Sequence, residues 1–272
     1  MSEMIIEEHF YIPYYNEKRR VRILLPKSYN QSKNERFPVV YMHDGQNCFY
    51  DYESFAGVSW GVIDTLSNHK FKEYLVVAID NNDEHRLDEY SPWQMDQTFR
   101  SKYGSVGGDG QAYAEWLVNT LKPSIDARFQ TKSDKDHTLL LGSSMGGLIT
   151  AYIGASYPNI FSTLGIFSLA SWFNEPPFLT FCQNHPLLPT TKVFIQVGTN
   201  EGDINGQKRE LKAIINDSQH YIDNSLNYYQ LLLKQGHPIN NIKLMIQSHE
   251  THHEKYWARH FRDFLDFYEN KK

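Results

Sequence analysis

The chain predicts an α/β fold, with a mostly parallel central sheet of about eight strands and helices on both faces. Three observations carry that expectation. Short apolar runs rich in β-branched residues alternate, from Tyr74 to the C-terminus, with stretches whose apolar residues recur at helical spacing. One run, His137-Thr-Leu-Leu-Leu141, enters the small-residue turn Gly142-Ser143-Ser144-Met145-Gly146 and leaves it with Leu148, Ile149, Tyr152 and Ile153 at helical spacing. No internal repeat or linker interrupts the 272 residues, so residues 1–272 read as one domain with a substantial core.

The sheet opens with Ile5 to Tyr14 and Val21 to Leu25, which alternate apolar and polar positions in part and flank the polar Asn16 to Arg20. They read as an antiparallel pair that Pro26 ends. After the polar loop Asn30 to Arg36 comes the apolar strand Phe37 to Met42, followed by His43-Asp44-Gly45-Gln46-Asn47. Trp60 to Leu66 reads as a helix, and Tyr74 to Ile79 as a buried strand. The polar stretch Asp80 to Asp109 reads as a long, ordered functional loop. Tyr113, Trp116, Leu117, Thr120 and Leu121 repeat at helical spacing up to Pro123. Thr163 to Phe167 and Lys192 to Val197 read as parallel strands, His220 to Gln235 as a helix ended by Gly236, and Asn241 to Gln247 as the last strand. Trp257, His260, Phe261, Phe264, Leu265 and Tyr268 mark a closing amphipathic helix.

Gly142-Ser143-Ser144-Met145-Gly146 is a G-x-S-x-G nucleophile elbow in the strand-turn-helix context that the motif requires. A serine on so sharp a turn needs glycines two before and two after, because a Cβ there would crowd neighbouring backbone. Ser144 then projects into solvent beside a helix N-terminus. The Met145 N–H, unpaired in the first helical turn, is placed to donate to a developing oxyanion. In hydrolases built on such an elbow the loop after the third strand delivers the second oxyanion N–H, and Gly45-Gln46 fits, with Gln46 N–H as donor.

A serine hydroxyl is a weak nucleophile until a base takes its proton, and the base needs a carboxylate to fix its tautomer. The expected chain order is serine, acid, histidine. After the Lys192 to Val197 strand, Gly198-Thr199-Asn200-Glu201-Gly202-Asp203 offers Glu201 and Asp203 as the acid. After the last strand, Ser248-His249-Glu250-Thr251-His252-His253-Glu254 offers His252 and His253 as the base. His249, Glu250 and His253 also satisfy H-E-x-x-H, a zinc signature, which works only on a helix where both histidines share a face. Here a β-type segment runs directly into His249 and the helix starts near Glu254, so zinc-dependent hydrolysis is the minor alternative.

The net charge of -5, with no dominant basic face, argues against nucleic-acid binding. The N-terminus lacks the basic region and apolar core of a signal peptide, and no apolar run is long enough to span a bilayer, so a cytoplasmic protein without membrane attachment is expected. Cys48 and Cys182 lie far apart in sequence and form no metal or redox motif, which reads as two reduced thiols.

Together these residues resemble the putative-esterase, or esterase D-like, family of α/β-hydrolases, the group containing feruloyl, acetyl and siderophore trilactone esterases. The likeness covers most of the chain: Tyr41-Met-His-Asp-Gly-Gln-Asn47, Arg86-Leu-Asp-Glu-Tyr-Ser-Pro92, the elbow, Gly198-Thr-Asn-Glu201 and His252-x-Glu254-x-x-Trp257. The resemblance implies Glu201 as the acid, with Asp203 in reserve, and His252 as the base, with His253 in reserve. Asp44 departs from the histidine that many hydrolases carry before the glycine of the oxyanion loop. The implied activity is that of a serine carboxylesterase acting on a small acyl ester through an acyl-enzyme, with no cofactor. An acyltransferase could use the same intermediate. Arg86, Glu89, Tyr90 and Trp93 are the candidate substrate-binding residues.

Overall fold

The computed structural model describes residues 4–31, 33–68, 71–203 and 210–270. Ser32, in the expected Asn30 to Arg36 loop, lies outside them. β1 (Met4–Ile12) and β2 (Glu17–Leu25) pair antiparallel from Met4↔Leu25 to Ile12↔Glu17. β3 (Val39–His43), β4 (Leu75–Ile79), β5 (Thr138–Ser143) and β6 (Thr163–Phe167) are buried at every position. That is why they read as unbroken apolar runs and not as alternating ones. β7 (Lys192–Asn200) and β8 (Ile242–Thr251) complete an open eight-stranded sheet in the order β1-β2-β4-β3-β5-β6-β7-β8. Pairing is antiparallel through β1, β2 and β4 and parallel from β4 to β8.

The helices are α1 (Val62–Asn68), α2 (Arg86–Glu89), α3 (Gln97–Tyr103), α4 (Gly110–Trp116), α5 (Lys122–Arg128), α6 (Met145–Ser156), α7 (Glu175–Asn184), α8 (Leu211–Lys234) and α9 (Glu254–Tyr268). The two-residue period of the strands divides the core between two faces. Val40, Met42, Val76 and Leu141 pack with α1 and α9 through Val62, Phe261 and Phe264. Val39, Tyr41, Val77 and Leu140 pack with α4 to α8 on the other side. Cys48 belongs to the first core and Cys182 to the second, so the sheet stands between the two thiols.

Two helices show how differently burial is encoded. α6 is buried from Met145 through Ala155, apolar or small on all sides, because it runs against the sheet centre beneath other helices. α9 instead presents Trp257, Phe261, Phe264 and Leu265 inward and Lys255, Arg259 and Arg262 outward. Truncating Phe264 to alanine would cost about 3–5 kcal/mol.

The expected stop at Pro123 is corrected: the helical path runs on to Arg128, with a π-helical turn over Leu117–Leu121 just before the proline. A proline ring clashes with the carbonyl four residues earlier, and a widened turn upstream relieves that clash. The stretch from Asp80 to Asp109 contains α2 and α3 rather than loop alone. Among the described residues, no helix is long and apolar enough to cross a membrane.

Candidate active site

β5 ends at Ser143 and α6 begins at Met145, leaving Ser144 between them at φ 59, ψ -122. A non-glycine residue rarely adopts this conformation, and such strain persists only where surrounding structure over-determines it. Here Ser144 N–H donates to Phe167 O at 2.8 Å, and Ser144 O accepts from Gly147, Leu148 and Ala170. A Cβ on Gly142 would sit 2.7 Å from the Gly146 backbone, which is the physical reason for that glycine, while a Cβ on Gly146 would meet Asp44 Oδ2 and His43 Cβ at 3.4 Å. Since the helical ladder starts at Gly147 N–H, Met145 N–H stands ahead of it at the positive end of the helix.

β3 lies beside β5, so the loop after β3 approaches the elbow. This loop turns at Asp44, in the left-handed region at φ 56, ψ 51, into a short 3₁₀ turn over Gly45–Asn47. Gly45 is obligatory, since a Cβ would lie 2.6 Å from the Ala78 carbonyl carbon. The turn's ladder begins with Asn47 N–H to Asp44 O, which leaves Gln46 N–H outside it. Asp44 anchors the loop. Arg86 grips its carboxylate with Nε at 2.7 Å and Nη2 at 2.9 Å, Asn81 Nδ2 adds a third donor, and Asp44 N–H donates to Tyr90. Burial pushes the Asp44 carboxyl up, but the Arg86 guanidinium outweighs it and holds the group below the usual carboxylate value.

At the carboxyl end of β7, Glu201 is fully buried, and its Oε2 lies 2.7 Å from His252 Nδ1. Its other oxygen, Oε1, accepts from Gly198 N–H and from Ser168 Oγ, each at 2.7 Å. Ser168 in turn accepts from Trp257 Nε1 at 2.8 Å. The His252 ring is held between Tyr221 and Trp257, with centroids 4.7 and 5.0 Å away. Ser144, His252, Gln46 and Trp257 all border one cleft of about 420 Å³ at the carboxyl edge of the sheet. It lies next to the point where the chain order of the strands reverses, between β3 and β5, where open α/β sheets place their ligands.

The reserve residues are elsewhere. Asp203 and His253 border a neighbouring groove with Thr251 and Lys255, and His253 Nδ1 accepts from Lys255 N–H as the cap of α9. Of the four candidate substrate-binding residues, only Arg86 borders the cleft, and its charge is committed to Asp44. Glu89 is buried against Arg19 and Tyr14, Tyr90 lies beneath the Asp44 loop, and Trp93 packs on Tyr152, Phe178 and Phe181. None of these three borders the cleft. In the H-E-x-x-H stretch, His249, Glu250 and Thr251 belong to β8 and α9 begins at Glu254, so His249 and His253 share no helical face. Glu250 is engaged by His260 Nε2 at 2.9 Å.

Sequence reasoning missed Ser168, Tyr221 and the second role of Trp257. Ser168 carries no local signal beyond its position at a strand end, because its partners are 33 and 89 residues away.

A model of the family described as Putative esterase matches residues 12–267. YbbA, an uncharacterized protein of Bacillus subtilis (strain 168), is 26% identical over 250 residues, 92% of each chain. Among solved structures, an IroE-like serine hydrolase from Shewanella oneidensis superposes with a TM-score of 0.73 at 20% identity, covering 96% of this chain and 79% of that one. The siderophore hydrolase EstA from Aspergillus nidulans gives 0.75 at 16% identity, covering 96% and 94%. At these identities the structural likeness speaks for the fold, the α/β-hydrolase arrangement.

Proposed function

Because the chain belongs to the Putative esterase family, an ester-hydrolysing group, we propose that it is a serine carboxylesterase whose triad is Ser144, His252 and Glu201. The observation that carries the reading is the 2.7 Å contact from Glu201 Oε2 to His252 Nδ1, beside a serine on a strained elbow in the same cleft. Glu201 holds the proton on Nδ1, so Nε2 is the free basic nitrogen. It takes the Ser144 proton as Oγ attacks the ester carbonyl. The oxyanion forms within reach of the Gln46 and Met145 N–H groups. His252 then gives the proton to the leaving alcohol, and the acyl group stays on Ser144. Water, deprotonated by His252, attacks the acyl-enzyme and releases the acid and the free serine. Each oxyanion N–H supplies roughly 3 kcal/mol of transition-state stabilisation, about a hundredfold in rate.

Labelling by a fluorophosphonate, read by intact mass, tests the nucleophile without knowledge of the substrate. One adduct on the wild type, absent from Ser144→Ala and slow in His252→Ala, is the expected result. An adduct that survives Ser144→Ala would end the proposal.

A further inference from the structure

The cleft's charge is unbalanced. Its ionisable walls, besides His252, are Asp44, Asp83, Arg86 and Glu254. Arg86 is the one cation among them, and its fork closes on both oxygens of Asp44. That pair leaves Asp83 on the exposed rim and Glu254 in the wall with no cleft cation bonded to either, Arg86 and His252 acting on Glu254 only from a distance to favour its ionised form. Glu254 is only 7% exposed and stands two residues from His252 at the first position of α9. Its contacts are modest for a buried carboxyl: Asn47 Nδ2 at 3.4 Å and His253 Nδ1 at 3.8 Å. The N-terminus of the helix favours its ionised form, while burial raises its carboxyl above the ordinary value.

Resting on the serine-esterase reading, we infer that this cleft selects its ester by charge. Esters with a cationic, hydrogen-bond-donating or quaternary ammonium group on the alcohol side are taken, esters with a carboxylate or phosphate there are rejected, and Glu254 is the specificity-determining residue. A cleft lined by one sign of charge concentrates the opposite sign and repels its own. The discrimination is a difference between two affinities, and repulsion of the anion contributes as much as attraction of the cation. Phe55, exposed at the lip, offers an aromatic face for the same cation.

The test uses three diethyl phosphorothiolates that differ only in the end group of the leaving thiol: trimethylammonium, tert-butyl or carboxylate. In each, the Ser144 Oγ–P bond forms as the P–S bond breaks, and the serine proton leaves with the thiol through His252. The second-order rate of adduct formation is read by intact mass, so no physiological acyl chain is needed. The ammonium reagent is expected to react about tenfold faster than the tert-butyl one, and the carboxylate about tenfold slower. The spread narrows as salt is added. Glu254→Gln keeps an oxygen facing Asn47 and removes only the charge, so it should compress the ammonium-to-carboxylate ratio about tenfold. Asp83→Asn, on the exposed rim where folding is not at stake, should compress it less. Equal rates for the three reagents, or a Glu254→Gln protein slowed equally toward all three, would overturn the selectivity while the serine assignment stands. No adduct from any of them, nor from a small fluorophosphonate, would overturn both.

Discussion

Ser168 Oγ donates to Glu201 Oε1 at 2.7 Å while accepting from Trp257 Nε1 at 2.8 Å, so one hydroxyl ties the tip of β6 to the carboxylate just past β7 and to α9. Ser168 holds φ 47 to do so and is fully buried. The Glu201 carboxylate is therefore held by three donors from three parts of the chain: Gly198, Ser168 and His252.

Ser168→Ala should leave the Trp257 N–H and one lone pair of Glu201 unsatisfied, a cost of about 1–3 kcal/mol in stability. The larger effect should be on kcat, with KM little changed, because the Glu201 carboxylate is freed to rotate away from His252. Trp257→Phe removes the outer donor while keeping an aromatic ring beside His252, and should lower kcat less. A pair of variants with equal losses in kcat and in melting temperature would argue for a merely structural serine.

Glu201→Gln keeps the size of the side chain but offers a neutral amide to Nδ1. Loss of kcat by about 10³–10⁴ is expected, by analogy with the triad carboxylate-to-amide change. Circular dichroism should remain that of the wild type. Activity within tenfold of wild type would transfer the acid's role to Asp203.

Arg86→Leu should strand the Asp44 carboxylate in a buried site, and losing one partner of such a pair costs about 3–5 kcal/mol. Adding Asp44→Asn should restore part of that stability without restoring activity, since the loop carrying Gln46 would still lack its anchor. Urea unfolding of both proteins, alongside turnover of a simple aryl acetate, makes the comparison.

His260 bridges Glu250, at 2.9 Å, and Asp263, at 2.7 Å, linking β8 to α9 on either side of the His252 turn. Burial would lower its imidazole, but the two carboxylates outweigh it and raise the group above its ordinary 6.5. A raised value in the folded state means the stabilisation is complete below about pH 6.5 and is lost as pH rises through the folded-state value. The stability gap between wild type and His260→Gln should accordingly be widest at acidic pH and shrink in alkali, which thermal melts across a pH series would reveal.

How much of this was legible in the sequence depends on whether a feature is local. β4 and β6 are short apolar runs with nothing ambiguous in them, and β6 matches its expected bounds, Thr163–Phe167. The elbow is a contiguous motif, and its first glycine is required by the Gly146 backbone only four residues away. By contrast β8 reaches Thr251 and not Gln247, because Asn200↔Thr251 pairs across a bulge with a strand more than forty residues earlier. α8 begins at Leu211, nine residues before the expected start, where Leu211 and Ile215 are exposed and form no buried apolar stripe. Glu89 looked like a cleft residue because its partner, Arg19, is 70 positions away. Composition alone did not distinguish a polar residue facing substrate from one facing a buried guanidinium.

With Ser144 as the proposed nucleophile, its positive φ would set activity and folding against each other at a single position. Glycine accepts that backbone angle freely, whereas serine bears a strain on the order of 1–3 kcal/mol. Drift that ignored turnover would carry this position toward glycine and a hardier, inert protein. A higher melting temperature for Ser144→Gly than for wild type would measure how strongly the serine is retained against the fold's own preference.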